Sequence, residues 1–272
     1  VKAAAFALES PATVEQAAGL LARSGAMPMA GGQSLGPMLN LRLARPEMVV
    51  RLAGIGGLAG VRQDADSVTI GALVTHAAIA DGRTPDPGQG ATAGLLARVA
   101  EGIAYRAVRN RGTIGGSLCH ADPAADWVTV LTALDATALT TEGRAVPVAD
   151  FIAAAFRTVL RPGELLRAVR IPRLSADARW GYVKACRKPG EFAHAMAAVL
   201  TTGTAVRLVI GATGGRPLLL RDPAALGAAL AGLDPVVAHI QSVIAARALA
   251  QAQTPTQAQA QAQTQTQTQA GP

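Results

Sequence analysis

The stretch Arg109-Asn110-Arg111-Gly112-Thr113-Ile114-Gly115-Gly116-Ser117-Leu118-Cys119-His120-Ala121-Asp122-Pro123-Ala124-Ala125-Asp126 decides how the chain reads. Apolar-periodic segments flank it, with Leu95, Val99 and Ile103 before and Trp127, Val130, Leu131 and Leu134 after. The sequence therefore predicts a glycine-rich, arginine-flanked loop held between two helices. Such a loop suits an anion. Glycines reach positive φ and let the backbone approach a ligand, and successive N–H groups beside guanidinium groups favour phosphate. Asp122 and Pro123 read as the N-cap and first position of the following helix, which puts Asp126 about one turn inside it. An earlier stretch, Ala30-Gly31-Gly32-Gln33-Ser34-Leu35-Gly36, has the same character. Two cradles in one chain point to a ligand carrying a pyrophosphate.

Around the earlier cradle, residues 2–8 read as a strand. Thr13-Val14-Glu15-Gln16 reads as a capping box opening a helix that runs to Gly25, and Met27–Ala30 as a short strand into the glycines. A helix follows from Ser34, with Pro37 in its first turn and Pro46 past its end, and then a buried strand over Met48–Leu52. Gln33 stands where the dinucleotide fingerprint needs its middle glycine, and no Lys-Ser/Thr follows, so neither that motif nor a P-loop is present. Taken alone, this loop reads better as a tight strand-to-helix turn without a ligand.

Further strands are expected at 67–73, 136–141 and 165–171, with a helix at 150–155 and a turn at Arg161-Pro162-Gly163-Glu164. Thr75 caps a short helix, which assigns His76 to a surface or capping role. A polar connection at 173–179 marks a boundary, after which strands at 180–186, 193–200 and 206–212 and helices at 223–230 and 236–250 form a small α+β unit. Residues 251–272 are Ala/Gln/Thr repeats without charge, a composition expected to stay disordered.

Composition narrows the function classes. Half of the 272 residues are hydrophobic but only 3% are aromatic, so cores should pack closely through short side chains. The net charge of +7 comes from 22 arginines and three lysines scattered without stacking aromatics, which disfavours a nucleic-acid binder and favours an acidic ligand or partner. Apolar runs are too short for a membrane span and the first residues do not resemble a leader, so the chain reads as soluble and cytoplasmic. Cys119 and Cys186 are too few to ligate an iron–sulfur cluster or a zinc ion, and read as small buried hydrophobes.

The pair Ala30-Gly31-Gly32-Gln33-Ser34 and Thr113-Ile114-Gly115-Gly116-Ser117 resembles the two flavin-pyrophosphate loops of the FAD-carrying medium subunits of molybdenum hydroxylases, the carbon monoxide dehydrogenase and xanthine dehydrogenase type. Leu39-Asn40-Leu41-Arg42-Leu43-Ala44-Arg45-Pro46, His120-Ala121-Asp122-Pro123-Ala124-Ala125-Asp126 and the stretch from Tyr182 to Ala193 extend the likeness, which runs from Val1 to about Leu249. The resemblance implies an α+β chain: a vanillyl-alcohol-oxidase-like (PCMH-type) FAD-binding domain in two lobes, 1–56 and 57–173, then a small C-terminal domain over 177–250. It implies that Pro28, Met29, Ala30, Gly31, Gly32, Gln33, Ser34 and Leu35, together with Thr113, Ile114, Gly115, Gly116 and Ser117, bind the pyrophosphate and its neighbours. By the same resemblance Asp126 meets a polar part of FAD, Leu166 packs near it, Lys184 lies close, Tyr182 sits near the isoalloxazine, and Ile103 and His120 also line the site. Gln33 replaces a frequent histidine and Ser117 a frequent Asp or Asn, and both still form hydrogen bonds.

What the resemblance implies for function is electron transfer through FAD, with no acid, base or metal ligand needed in this chain. A large partner subunit would carry the molybdenum cofactor and a small one two [2Fe-2S] clusters, in a dimer of heterotrimers that delivers electrons to an external acceptor. The competing reading is a non-redox scaffold subunit whose glycine loops are only structural.

Overall fold

A computed structural model describes residues 2–254 of the chain. Its first part runs β1 (Ala7–Glu9), α1 (Val14–Leu21), β2 (Ala26–Met29), α2 (Leu35–Asn40) and β3 (Met48–Arg51). The strands form a three-stranded parallel sheet in the order β1-β3-β2, with Val49 opposite both Leu8 and Met27. Strand alternation then divides the core. Val50 joins Ala17 of α1, while Val49 joins Leu39 of α2, so each face of this small sheet is covered by one helix. Thr13 caps α1 by accepting from Gln16 N–H at 3.2 Å, and Gln16 answers by accepting from Ala12 N–H at 2.9 Å.

The middle part continues with β4 (Val61–Gln63), β5 (Ser67–Gly71), α3 (His76–Ala80), α4 (Leu95–Glu101), α5 (Arg106–Arg109), α6 (Ile114–His120), α7 (Asp126–Ala133), β6 (Thr137–Thr140), β7 (Ala145–Pro147), α8 (Val148–Phe151), β8 (Ile152–Ala154), β9 (Arg157–Thr158) and β10 (Leu166–Pro172). An antiparallel sheet in the order β4-β5-β10-β6-β7 packs Val68, Ile70, Val169 and Ile171 against Leu95, Ile114, Leu118 and Trp127 from the intervening helices. Trp127 is fully buried.

The last part is an antiparallel meander, β11 (Arg179–Ala185), β12 (Ala195–Thr202), β13 (Ala205–Gly211) and β14 (Leu218–Leu220), followed by α9 (Leu226–Leu230) and α10 (Pro235–Gln253). Helix α10 lies on β11 so closely that a Cβ at Gly181 would stand 1.9 Å from Ala248 O. Through its other face the meander meets α7, where Ala133 joins Ala198 and Val209. Arg207 of β13 ties this contact by donating to Thr132 O at 2.9 Å and Ala133 O at 3.1 Å, and by pairing with Asp135. These carbonyls belong to the open end of α7. Arg207→Ala should therefore cost about 1.5–3 kcal/mol in denaturant unfolding, the range for lost hydrogen bonds to a charged donor. An unchanged midpoint would show that water replaces the guanidinium there.

Several expectations change. The first strand is short, Ala7–Glu9, because residues 2–6 find no partner strand. The stretch expected as a glycine loop is helical from Ile114 to His120: Thr113 accepts from Gly116 N–H at 3.0 Å, and burial of Ile114 and Leu118 outweighs the poor propensity of two glycines. Asp122 does not cap α7. Its carboxylate accepts from Ala124 N–H in a local turn, and α7 opens at Asp126 itself. The helix expected at 150–155 is α8, ending at Phe151, after which the chain turns into β8. Helix α10 extends through Gln253, with Ala252 buried against the meander, so residues 251–253 are helical rather than disordered. The rest of the expected tail, 255–272, lies outside the described residues.

Candidate functional site

The two glycine-rich segments meet. Beyond β2, Gly32 takes φ +70°, and a Cβ on Gly31 would lie 2.0 Å from Arg111 O and 2.8 Å from Gly112 Cα. A Cβ on Gly116 would stand 3.3 Å from that of Ala30 and 2.8 Å from Thr113 Oγ1. Glycine at 31 is thus what lets the two backbones touch.

Their donors differ. Among the described residues no backbone carbonyl accepts from the N–H of Gly31, Gly32, Gln33 or Ser34, while the Gln33 amide donates back to Gly31 O at 3.2 Å. In the second segment Ile114 N–H donates to Val74 O and Gly115 N–H to Ala72 O, both at 3.0 Å, and Gly116 N–H is taken by Thr113. The first segment therefore offers free N–H groups to an anion, and the second offers close approach. This is a cradle that fits a pyrophosphate.

A second group of expected residues gathers at the start of α7. Tyr182 and Lys184 share one face of β11 and reach the same atom: Tyr182 Oη donates to Asp126 Oδ1 at 2.6 Å and Lys184 Nζ to the same oxygen at 2.8 Å. Lys184 also donates to Gly102 O at 2.9 Å. Burial, and then the Asp126 carboxylate beside it, push the Tyr182 phenol well above its ordinary value, so it stays a neutral donor. A cleft of about 410 Å³ opens beside Lys184, walled by Gly102, Ala104, Arg109 and Gly190, and Ile103 next to it bridges Gly190. Arg109 and Arg106 are both engaged within the chain. Arg109 Nη1 donates to Ile103 O at 3.0 Å and Ala104 O at 2.8 Å, while Arg106 pairs with Asp81.

His76 is not the surface or capping residue its sequence position suggests. It is 5% exposed, and its Nδ1 accepts from Trp127 Nε1 at 3.1 Å. Only tertiary packing creates this site; the signal in the sequence was Trp127 itself, whose indole N–H needs an acceptor once buried. Burial, and then the charge of Arg109, lower the imidazole from an ordinary 6.5 to about 4. Between those values the unfolded chain binds a proton that the folded chain refuses. The contribution is complete above pH 6.5 and is lost as pH falls toward 4, at about 1.4 kcal/mol per pH unit or about 3 kcal/mol in all. Denaturant unfolding across pH 4–7 should show this slope, and His76→Asn should remove it.

Two expected residues stand apart from both groups. Leu166 is buried in the core under the middle sheet, and His120, at the far end of α6 from the glycines, packs its ring on Phe156 with centroids 5.3 Å apart. Burial pushes the Cys119 thiol up to about 12, which leaves it inert. Among the described residues no cluster of three or more His, Cys, Asp or Glu can hold a metal ion, and no helix is long and apolar enough to cross a membrane.

Comparison with known proteins places this geometry. Residues 4–174 match the family described as the FAD binding domain in molybdopterin dehydrogenase. The chain is 36% identical over 250 residues to the 6-hydroxypseudooxynicotine dehydrogenase complex subunit alpha of Paenarthrobacter nicotinovorans, covering 82% of this chain and 83% of that protein. It is 37% identical to the carbon monoxide dehydrogenase medium chain of Afipia carboxidovorans over 76% of this chain and 74% of the relative. Among solved structures, carbon monoxide dehydrogenase from Hydrogenophaga pseudoflava superposes with a TM-score of 0.82 at 29% identity, over 93% of this chain and 98% of that one. Quinoline 2-oxidoreductase from Pseudomonas putida 86 gives 0.80 at 30% identity, over 93% and 99%. The chain therefore belongs to the FAD-binding medium subunits of molybdopterin dehydrogenases, of the carbon monoxide dehydrogenase medium-chain type.

Proposed function

We propose that this chain is the electron-transfer subunit of a heterotrimeric molybdenum hydroxylase, holding FAD across the paired glycine segments and the Asp126 cluster. One observation carries the reading: Gly31 meets Arg111 and Gly112 with no room for a side chain, beside four backbone N–H groups that have no acceptor among the described residues. Bound there, FAD supplies the redox chemistry, taking electrons and passing them on. The N–H groups of Gly31, Gly32, Gln33 and Ser34 would hold the pyrophosphate oxygens. Lys184 and Tyr182, oriented by Asp126, would set the polarity of the flavin end and hold water away from it.

In this reading the electrons come from two [2Fe-2S] clusters of a small subunit, after substrate oxidation at the molybdenum cofactor of a large one. They leave to an external acceptor, and the complex is a cytoplasmic dimer of heterotrimers. The three larger of the four sheets, β1-β3-β2, β4-β5-β10-β6-β7 and β11-β12-β13-β14, support a division into lobes at 1–56 and 57–173 and a C-terminal unit at 177–250. The deciding experiment is rapid mixing of the purified complex with its substrate under anaerobic conditions. Bleaching of the flavin absorption should follow that of the iron–sulfur clusters; a complex with full metal content and no extractable FAD would overturn the proposal.

A further inference from the structure

The segment from Gly112 to Ser117 is backed by residues 72–76. Ala72 O and Val74 O accept from Gly115 and Ile114, Thr75 and Thr113 form an antiparallel bridge, and His76 N–H donates to Gly112 O at 2.9 Å. His76 ends this backing and adds its side chain to it. A Cβ on Gly112 would come within 2.9 Å of His76 Cδ2 and 3.1 Å of Nε2, so one edge of the ring lies against the glycine backbone. At the other edge Nδ1 accepts from Trp127, the residue that follows Asp126. One buried ring thus spans from the glycine segment to the helix start that carries Asp126.

We propose that His76 is a positioning residue for the flavin: its ring fixes the spacing between Gly112–Gly116 and Asp126, and so decides whether one cofactor can meet both the cradle and the Asp126–Tyr182–Lys184 cluster. The inference rests on the FAD reading above. The chemistry of the contact suits a spacer. Acceptance at Nδ1 leaves the proton on Nε2 and fixes the tautomer, so the ring cannot flip without leaving the buried Trp127 N–H unpaired. Packing against bare glycine backbone, with no side chain between, transmits any shift of the ring to the segment without slack.

The test uses the intact complex with FAD removed and then titrated back, reading affinity from flavin fluorescence. His76→Asn keeps an acceptor near the Nδ1 position, whereas His76→Leu keeps bulk and loses it. His76→Leu should weaken FAD tenfold or more, and His76→Asn should remain within about threefold of the unsubstituted protein. Trp127→Phe, which removes only the N–H, should weaken FAD as well, and adding it to His76→Leu should cause no further loss. Equal weakening by the Asn and Leu variants would overturn the proposal, because bulk alone would then matter. If His76→Leu does not fold, the other two variants decide, and Trp127→Phe binding FAD normally would overturn it. Failure of the unsubstituted complex to take up FAD would sink the FAD reading with it, while normal uptake by every variant would sink the role of His76 alone.

Discussion

Replacing Gly31 by alanine should strip the flavin from the purified protein. The new Cβ would stand 2.0 Å from Arg111 O and 2.6 Å from Arg111 C, far inside van der Waals contact, and both are backbone atoms. Neither can step aside cheaply. Arg111 N–H and Gly112 N–H are both held by Val108 O, at 3.1 and 2.7 Å, and Gly112 O is held by His76 N–H. The strand behind Gly31 is fixed on the other side, since Leu52 N–H donates to Met29 O at 2.9 Å. Relief must therefore come from the loop itself, moving the N–H groups of residues 31–34 away from the second segment. Losing two or three hydrogen bonds to a charged pyrophosphate corresponds to about hundredfold or more in affinity. The measurement is the FAD-to-protein ratio after gel filtration, with the dissociation constant from back-titration. Gly19→Ala is the control: it has open space around it within α1, away from the cradle, and should gain a little helix stability while keeping its FAD. If Gly31→Ala retained flavin at the normal affinity, the free N–H groups of this loop would not be the pyrophosphate site.

What the sequence revealed and what it hid follow from the range of the interactions. Thr13 with Gln16 and Thr75 with Ala78 are local hydrogen-bonding patterns, so the starts of α1 and α3 were legible. The alternation of Val68 and Ile70 announced β5 for the same reason. That the two glycine segments serve one ligand was legible from their shared character, and family likeness narrowed that ligand to FAD; their contact was not legible, because nothing within either segment says that Gly31 will touch Arg111. Asp122 misled because Asp-Pro is a good helix start in isolation; here its carboxylate is used one turn earlier, by Ala124. The short strands β4, β7, β8, β9 and β14 have two or three residues each, too few for an alternation to stand out. Trp127 announced a buried acceptor but not which residue supplies it, since the burial of His76 depends on α5, α7 and the glycine segment arriving from elsewhere in the chain.

The second large effect is expected at Asp126, where one carboxylate oxygen answers both a buried cation and a buried phenol. Asp126→Ala leaves the Lys184 ammonium, whose side chain is only 11% exposed, with Gly102 O as its one remaining acceptor among the described residues, and takes from the Tyr182 hydroxyl the acceptor it has there. Removing one partner of a buried ion pair costs about 3–5 kcal/mol, because the surviving charge keeps its desolvation penalty without its compensation. The loss falls between α7 and β11, so it should loosen the meander from the middle of the chain as well as lower the unfolding midpoint. If the cost comes from the stranded charge, deleting that charge should return part of it. Lys184→Met in the Asp126→Ala background should then be more stable than Asp126→Ala alone, a coupling that denaturant unfolding of the four proteins in the cycle measures directly. Strict additivity would mean that water reaches the ammonium and that the cluster contributes little to the fold. Flavin content separates the two roles of the cluster: a double variant that recovers stability but not FAD would assign the polar trio to the cofactor, since methionine restores the packing without restoring the charge.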